Sequence, residues 1–475
     1  MNDLSLPRII QGGMGIAVSD WRLAQAVSRR GQLGVVSGTA IDSVFVRRLQ
    51  DGDPGGHVRR AMAAFPMPGV ADAVLAKWFR PEGRARGEPY HELPMHRQRV
   101  SRHRNEITML SMFVEVFLAK EGHGNPVGVN LLTKIQMPNL ALLYGAMLAG
   151  VDYVLMGAGI PRDIPGALDT LAEHRATRMR FDVEGLASGE TEYLALDPAE
   201  FWDAPPPPLT RPKFLAIIAS NSLGTMLARK ASGRVDGFIV EGPTAGGHNA
   251  PPRGAPQLNE RGEPVYGERD VVDFPKLAEL GLPFWIAGGA GSPEGLQAAL
   301  AEGAAGIQVG TLFAYCDESG LAERYKRSVL EHAERGEVDV FTDPNASPTG
   351  FPFKVVTWAG DETDLDKRVR VCDLGYLRVA YKMTDGRLNY RCAAEPVATY
   401  VKKGGAEEET RGRRCLCNAL MANIGLPQVR EGGTEEPPLL TSGDDLVGIR
   451  EFLGGRTHYS AADVIGYLLG AASPA

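Results

Sequence analysis

Pro283-Phe-Trp-Ile-Ala-Gly-Gly289 and Gly306-Ile-Gln-Val-Gly-Thr311 are short apolar runs that each close on glycine ahead of a helix-forming segment. Neither shows the polar alternation of a strand with one wet face, so both read as strands buried on two sides. The same pattern repeats toward the N-terminus, at 8–11, 33–37, 127–132, 153–157, 214–219 and 237–241. Continuous apolar strands alternating with helices specify an α/β protein with a parallel sheet. Eight such units predict a closed (β/α)8 TIM barrel, a fold that commonly uses about 250 residues.

The helices between strands carry their own punctuation. Ser19 reads as the cap of a helix over 20–30 that Gly31 ends, and Asn221 or Ser222 starts one over 223–232. Ser292-Pro-Glu starts another over 295–302, followed by Gly303. Two connections exceed a plain barrel's needs, giving insertions of about 45–122 after strand two and 178–210 after strand four. The Arg- and His-rich segment 97–104 reads either as a solvated helix face or as a lid whose cations meet an anionic substrate or carrier. The barrel pattern stops near Asn345-Ala-Ser-Pro-Thr-Gly-Phe-Pro-Phe. The expected division is therefore a barrel over 1–355 and a C-terminal accessory region over 356–475, with a hairpin around Thr384-Asp-Gly386.

Composition narrows the class. A 44% hydrophobic and 23% charged chain is ordinary for a globular protein, and a net charge of −7 argues against a nucleic-acid surface. No run of 18 apolar residues predicts a membrane helix, and the first residues lack a secretion signal, so a cytoplasmic location is expected. Cys372, Cys392, Cys415 and Cys417 have irregular spacing, which favours buried or free thiols over a zinc site; no metal is expected. Gly12-Gly-Met-Gly lacks the spacing of a dinucleotide fingerprint.

Sites on this fold lie at the C-terminal strand ends, often with phosphate after strands seven and eight. Gly288, Gly289, Gly310 and Thr311 stand there, where glycine lets backbone N–H groups approach an anion. Read singly, each pair is also compatible with a tight turn. Asn130 ends strand three, and its amide suits the N/O edge of a flavin ring or, alternatively, a strand-end bond within the fold. Gln11, Gly12, Gly13 and Met14 share the rim after strand one, with Ser220 after strand five and Gln308 in strand eight. His248, behind Ala245-Gly-Gly, could take a proton from carbon or hydrogen-bond an anionic oxygen. Glu241 closes strand six, to orient a ligand or to pair with a nearby Arg.

Taken together, Ile10-Gln-Gly-Gly-Met, Gly128-Val-Asn-Leu, Ala245-Gly-Gly-His, Ala287-Gly-Gly and Gln308-Val-Gly-Thr resemble the nitronate monooxygenase (2-nitropropane dioxygenase) family over roughly 6–355. The resemblance implies an FMN-dependent oxidoreductase, with His248 as the catalytic residue acting on nitronates or nitroalkanes with O2. It implies FMN contacts from Gln11, Gly12, Gly13, Met14, Asn130, Ser220, Gly247, Gly288, Gly289, Gly310 and Thr311, to which the reading of the residues adds Glu241 and Gln308. Gln11-Gly-Gly-Met, Met156-Gly-Ala-Gly-Ile-Pro and Glu241-Gly are also similar to the flavin-dependent enoyl-acyl-carrier-protein reductases. That branch implies NAD(P)H as reductant and a thioester substrate on CoA or an acyl-carrier protein. A homodimer stays open. The sequence departs from the two branches at Thr244, where both usually carry Glu, and at 249–254.

Overall fold

The computed structural model describes residues 6–358 and 368–470. Residues 1–5, on which part of the reading about a leader rests, lie outside it. Eight parallel strands form one sheet: β1 (Ile9–Gln11), β2 (Gly34–Ser37), β3 (Val127–Leu132), β4 (Tyr153–Gly157), β5 (Lys213–Ile218), β6 (Gly237–Glu241), β7 (Phe284–Ala287) and β8 (Gly306–Val309). β1 pairs β8 in the register Ile10↔Gln308, and the bridge Ile10↔Leu33 brings β1 beside β2. Gln11 N–H donates to Leu33 O at 2.9 Å and Leu33 N–H to Ile9 O at 3.1 Å, so the ring closes. The expected (β/α)8 barrel is what forms.

Strand pleating sends alternate side chains inward and outward. Ile10, Val35, Leu155, Leu215, Ile239 and Trp285 belong to a small apolar cluster filling the barrel, while a far larger cluster joins the strands to the helices and the C-terminal region. Trp285 is fully buried, and its indole N–H donates to Pro7 O at 2.7 Å, closing the end of the barrel opposite the glycine-rich rim.

Local capping departs from expectation in two places. The first helix runs Trp21–Ser28 and is capped by Asp20, which accepts from the Arg22 and Leu23 N–H groups. Ser19 instead bonds Gln11 and Gly12, inside the loop after β1. The helix Asn221–Lys230 is capped by Ser220 itself, which accepts from Leu223 N–H at 3.1 Å. A hydroxyl one or two residues earlier than expected does the capping in one case, and a stronger carboxylate acceptor displaces it in the other.

The insertions and the C-terminal region build one cover. After β4, Thr177–Phe181 pairs antiparallel with Glu192–Leu196, and Val183–Glu184 between them pairs with Val379–Lys382 of the C-terminal hairpin. In the basic segment Arg97, Arg99 and Arg102 are exposed, as a solvated face requires, but its last residue turns inward. Arg104 is buried, 2.7 Å from both Asp42 Oδ2 and His96 Nε2, with the Tyr376 hydroxyl also on Asp42. The Arg104 charge and these hydrogen bonds hold the Asp42 carboxyl well below its usual range against its burial, while burial and then Arg104 lower the His96 pKa. Asp42 is thus a buried anion matched by a guanidinium, an arrangement that is costly to break by removing one partner. Among the described residues no helix is long and apolar enough to cross a membrane.

Trp285→Ala should destabilise the fold by about 3–5 kcal/mol, because a large void opens inside a closed ring that cannot collapse. Thermal unfolding followed by tryptophan-independent circular dichroism checks this; a midpoint within about 1 °C of the parent contradicts the packing argument.

Candidate active site at the barrel mouth

A cavity of about 220 Å³ opens at the C-terminal ends of the strands. Of the residues singled out from the sequence, Gly12, Gly13, Met14, Asn130, Glu241, Gly247, His248, Gly288, Gln308, Gly310 and Thr311 line it together. Gln11, Ser220 and Gly289 do not. Gln11 is fully buried, its carbonyl accepting from Val35 N–H at 3.0 Å and its amide donating to Ser19 Oγ at 2.8 Å. It braces the β1 loop from behind. Ser220 is taken by its helix, and Gly289 turns the chain past the rim at φ +70°.

Glycine is required where the backbones close. A Cβ on Gly288, at φ +88°, would lie 2.9 Å from Ala245 N and from Thr244 Oγ1. A Cβ on Gly13 would lie 2.2 Å from Asn130 Cβ, so only glycine lets the β1 loop reach that amide.

His248 is fixed from outside the barrel. Its backbone forms an antiparallel bridge with Phe353, with Asn249 N–H donating to Pro352 O and Lys354 N–H to Gly247 O, each at 3.0 Å. Its ring packs edge-on against Phe353 and Phe351, with centroids 4.9 and 6.4 Å away. Nε2 lies 2.7 Å from Ser347 Oγ, which in turn meets Thr349 Oγ1 at 2.8 Å. Burial, then the nearby Lys134 charge, lowers the His248 pKa to about 4, so the ring is neutral at pH 7. Such a ring can accept a proton at one nitrogen while Ser347 holds the other.

Glu241 has no ion pair among the described residues, contrary to the pairing alternative, and burial raises its carboxyl to about 7. The Gln308 side-chain oxygen is buried without a hydrogen-bond partner, and Asn130 makes only a long 3.5 Å bond to Leu155 O. Both amides, facing one cavity, have bonding capacity to spare.

The far wall was not legible from the sequence. Tyr376, Leu377, Leu416, Cys417, Leu420 and the segment 440–445 come from the C-terminal region. Gly443 N–H donates to Thr311 Oγ1 at 3.1 Å and Asp444 N–H to Thr244 O at 3.0 Å, tying this segment across the ends of β6 and β8. Asp445 accepts from Gly291 N–H, and burial and Asp444 raise its pKa. Ser347 had only the end of the barrel pattern as its signal. The four C-terminal cysteines gather, Cys372 against Cys392 and Cys415 against Cys417, all as free thiols. Among the described residues no group of three or more His, Cys, Asp or Glu is arranged to hold a metal ion.

Fold and site together define a (β/α)8 barrel protein with one roomy, glycine-rimmed cavity and a single imidazole set into its wall. Residues 203–343, which carry β5 through β8, match the family model for nitronate monooxygenase. A probable nitronate monooxygenase of Staphylococcus saprophyticus is 33% identical over 124 residues, covering 26% of this chain and 33% of the relative. One from Bacillus subtilis is 37% identical over 101 residues, covering 21% and 27%. The matched region thus spans about a third or less of these relatives' length. A nitroalkane oxidase from Streptomyces ansochromogenes superposes with a TM-score of 0.49 and 14% identity over 99% of this chain and 97% of its own.

Selective ¹³C labelling of histidine should show the His248 ring titrating near pH 4, below the free-imidazole value of about 6.5. A His248 midpoint at or above 6 contradicts the buried, cation-flanked setting.

Proposed function

We propose that the protein is an FMN-dependent oxidoreductase of the nitronate monooxygenase type, oxidising nitronates or nitroalkanes with O2. The observation that carries this reading is the convergence of a neutral, half-buried His248 and two under-bonded amides, Asn130 and Gln308, on one glycine-rimmed cavity. FMN fits the donor set. The orphaned Gln308 oxygen and the Asn130 amide are suited to a heteroaromatic edge that both donates and accepts. The side-chain-free stretch at Gly288 and Gly310 is suited to a phosphate. When bound, FMN supplies the redox chemistry, and the protein supplies position and electrostatics.

The chain's own part is then proton handling and orientation. The unprotonated ring of His248 removes the proton from the carbon bearing the nitro group, or holds the nitronate oxygens once protonated. Ser347 keeps the ring's tilt and tautomer. Lys134, which depresses the His248 pKa, also favours a substrate anion in the same space. The division of the chain stands as part of this proposal: 1–355 holds the cofactor, and 356–475 roofs the substrate.

One observation favours a second reading, NAD(P)H-dependent reduction of an enoyl thioester on CoA or an acyl-carrier protein. Leu377, Leu416, Leu420 and Leu440 give the cavity an aliphatic wall. That lining suits an acyl chain better than a small nitronate.

Anaerobic mixing of the FMN-loaded protein with propyl-2-nitronate should bleach the flavin absorbance, and His248→Ala should keep the yellow colour while losing at least about a hundredfold in rate. An unchanged spectrum with nitronate, together with rapid bleaching by NADPH and reoxidation by crotonyl-CoA, replaces the first reading with the second. A chain that refuses FMN altogether removes both.

A further inference from the structure

Glu241 closes β6 and borders two cavities at once. One is the barrel mouth; the other, of about 30 Å³, is walled by Ala219, Ala250, Pro251, Arg253, Tyr266 and Asp270. Glu241 is the one described residue common to both walls. A polar space of that size admits about one or two waters.

The small cavity is built from a braced loop. The Tyr266 hydroxyl donates to Ala250 O at 3.1 Å, which leaves its oxygen able to accept. Arg253 donates through Nη2 to Ala219 O at 2.9 Å and through Nη1 to Arg269 O at 3.0 Å. Asp270 accepts from the backbone N–H groups of Arg253 and Gly267, each at 2.9 Å, and so staples the two ends of the loop. Pro251 and Arg253 are exposed, so this cavity adjoins solvent. The loop begins within 249–254, where the sequence departs from the families it resembles, and neither functional reading gives it a task.

The electrostatics differ on the two sides of Glu241. Toward the mouth the titratable side chains are His248, Tyr315, Tyr376, Cys417 and Asp445, with the Lys134 charge close to His248. Toward the loop they are Tyr266, Asp270 and Arg253. Burial, then the charges of Asp270 and Glu241, push the Tyr266 phenol up to about 12, so it stays protonated. Burial raises the Glu241 carboxyl to about 7, so near neutrality it is found in either form.

We propose that Glu241 is the proton outlet of the barrel-mouth site, receiving the proton that leaves the substrate and delivering it to solvent through water in the smaller cavity. The inference rests on the proton abstraction proposed for His248. There the carbon–hydrogen bond of the nitroalkane breaks, its electron pair stays on the nitronate, and the proton goes to the imidazole. Through water in the mouth the imidazolium passes that proton to the Glu241 carboxylate, and both groups become neutral. Transfer from a ring near 4 to a carboxyl near 7 runs downhill. The carboxylic acid then releases the proton to water beside Tyr266, and the carboxylate is restored.

The first test needs neither flavin nor substrate. Carboxyl-¹³C labelling of glutamate in the full-length protein should show a signal with a midpoint near pH 7 that Glu241→Gln removes. Ala250→Leu fills the small cavity and should move that midpoint upward, past about 8, by taking its water away. Ala219→Val is the second plug should Ala250→Leu not fold. A Glu241 carboxyl still ionised at about pH 5, or one that a folded plug leaves unmoved, overturns the outlet. The second test follows aerobic turnover of nitroethane by the FMN-loaded protein. Glu241→Gln should lose at least about tenfold, and rising imidazole concentration should restore the rate, because a small base takes over the proton. A loss that imidazole does not restore makes Glu241 structural and overturns the outlet. A wild type that never turns over nitroethane, while the carboxyl still titrates and still responds to the plug, removes the nitronate reading and leaves the outlet standing.

Discussion

A loop built around Gly246-Gly247 cannot by itself hold an imidazole in one orientation, and everything proposed for this site depends on how that is overcome. Gly247, with φ +79°, has no side chain to restrict it, and six residues intervene between the end of β6 and His248. Order comes from chain that lies beyond the barrel. Residues 352–354 pair with 247–249, Thr441 Oγ1 accepts from Gly247 N–H at 3.0 Å, and Lys354 Nζ then clamps Asp444 at 2.6 Å and Thr342 Oγ1 at 2.9 Å. The loop is thereby converted into a short stretch of sheet whose side chain is placed by main-chain geometry. Preorganisation of this kind is what lets a lone side chain act in a defined direction.

That enclosure also sets the electrostatics. Burial without counter-ions pushes Glu241 up and His248 down, so at neutral pH the cavity holds a neutral ring and a carboxyl near its midpoint. Divergence of two titratable groups in one cleft is a recurrent property of sites that move protons. Where charge is instead to be kept, as at Asp42, the fold provides Arg104 beside it. Asp42 and Glu241 are thus shifted in opposite directions, and Asp42 has Arg104, His96 and Tyr376 against it.

Legibility from sequence followed the range of the signal. The eight strands were readable because a strand buried on both faces has no polar alternation, and β3, β4 and β6 fall on the expected residues. The glycine-rimmed half of the cavity was readable because Gly12, Gly288 and Gly310 sit at strand ends in the order the barrel demands. Gln11 and Ser220 were misplaced for a physical reason: a polar side chain at a strand end can turn inward to brace the loop or cap the next helix, and nothing local tells these apart from a ligand contact. Ser347, Tyr376, Leu416 and Ser442 meet the barrel only through long-range packing, which no periodicity records. The cationic segment is solvated at Arg97, Arg99 and Arg102, and only Arg104 departs from that reading because Asp42, sixty-two residues earlier, matches it.

The family match ends at residue 343, just before Ser347, Phe353 and the whole C-terminal wall. Of the residues proposed for the cofactor and for proton transfer, Glu241, His248, Gly288, Gln308, Gly310 and Thr311 lie within the matched segment, while Gly12, Gly13, Met14 and Asn130 lie outside it. Outside it lie the leucines, Tyr376 and Cys417 that close over the remaining space. On the proposed reading, the family match covers part of the cofactor-holding half of the cavity and none of the C-terminal wall. Thr244, one of the positions that departs from the resembling families, is also where the roof attaches, through its carbonyl to Asp444 N–H at 3.0 Å. A change in the loop and a change in its cover thus meet at one residue. On the proposed reading, substrate choice rests on the C-terminal wall, which the main chain of Thr244 helps to anchor.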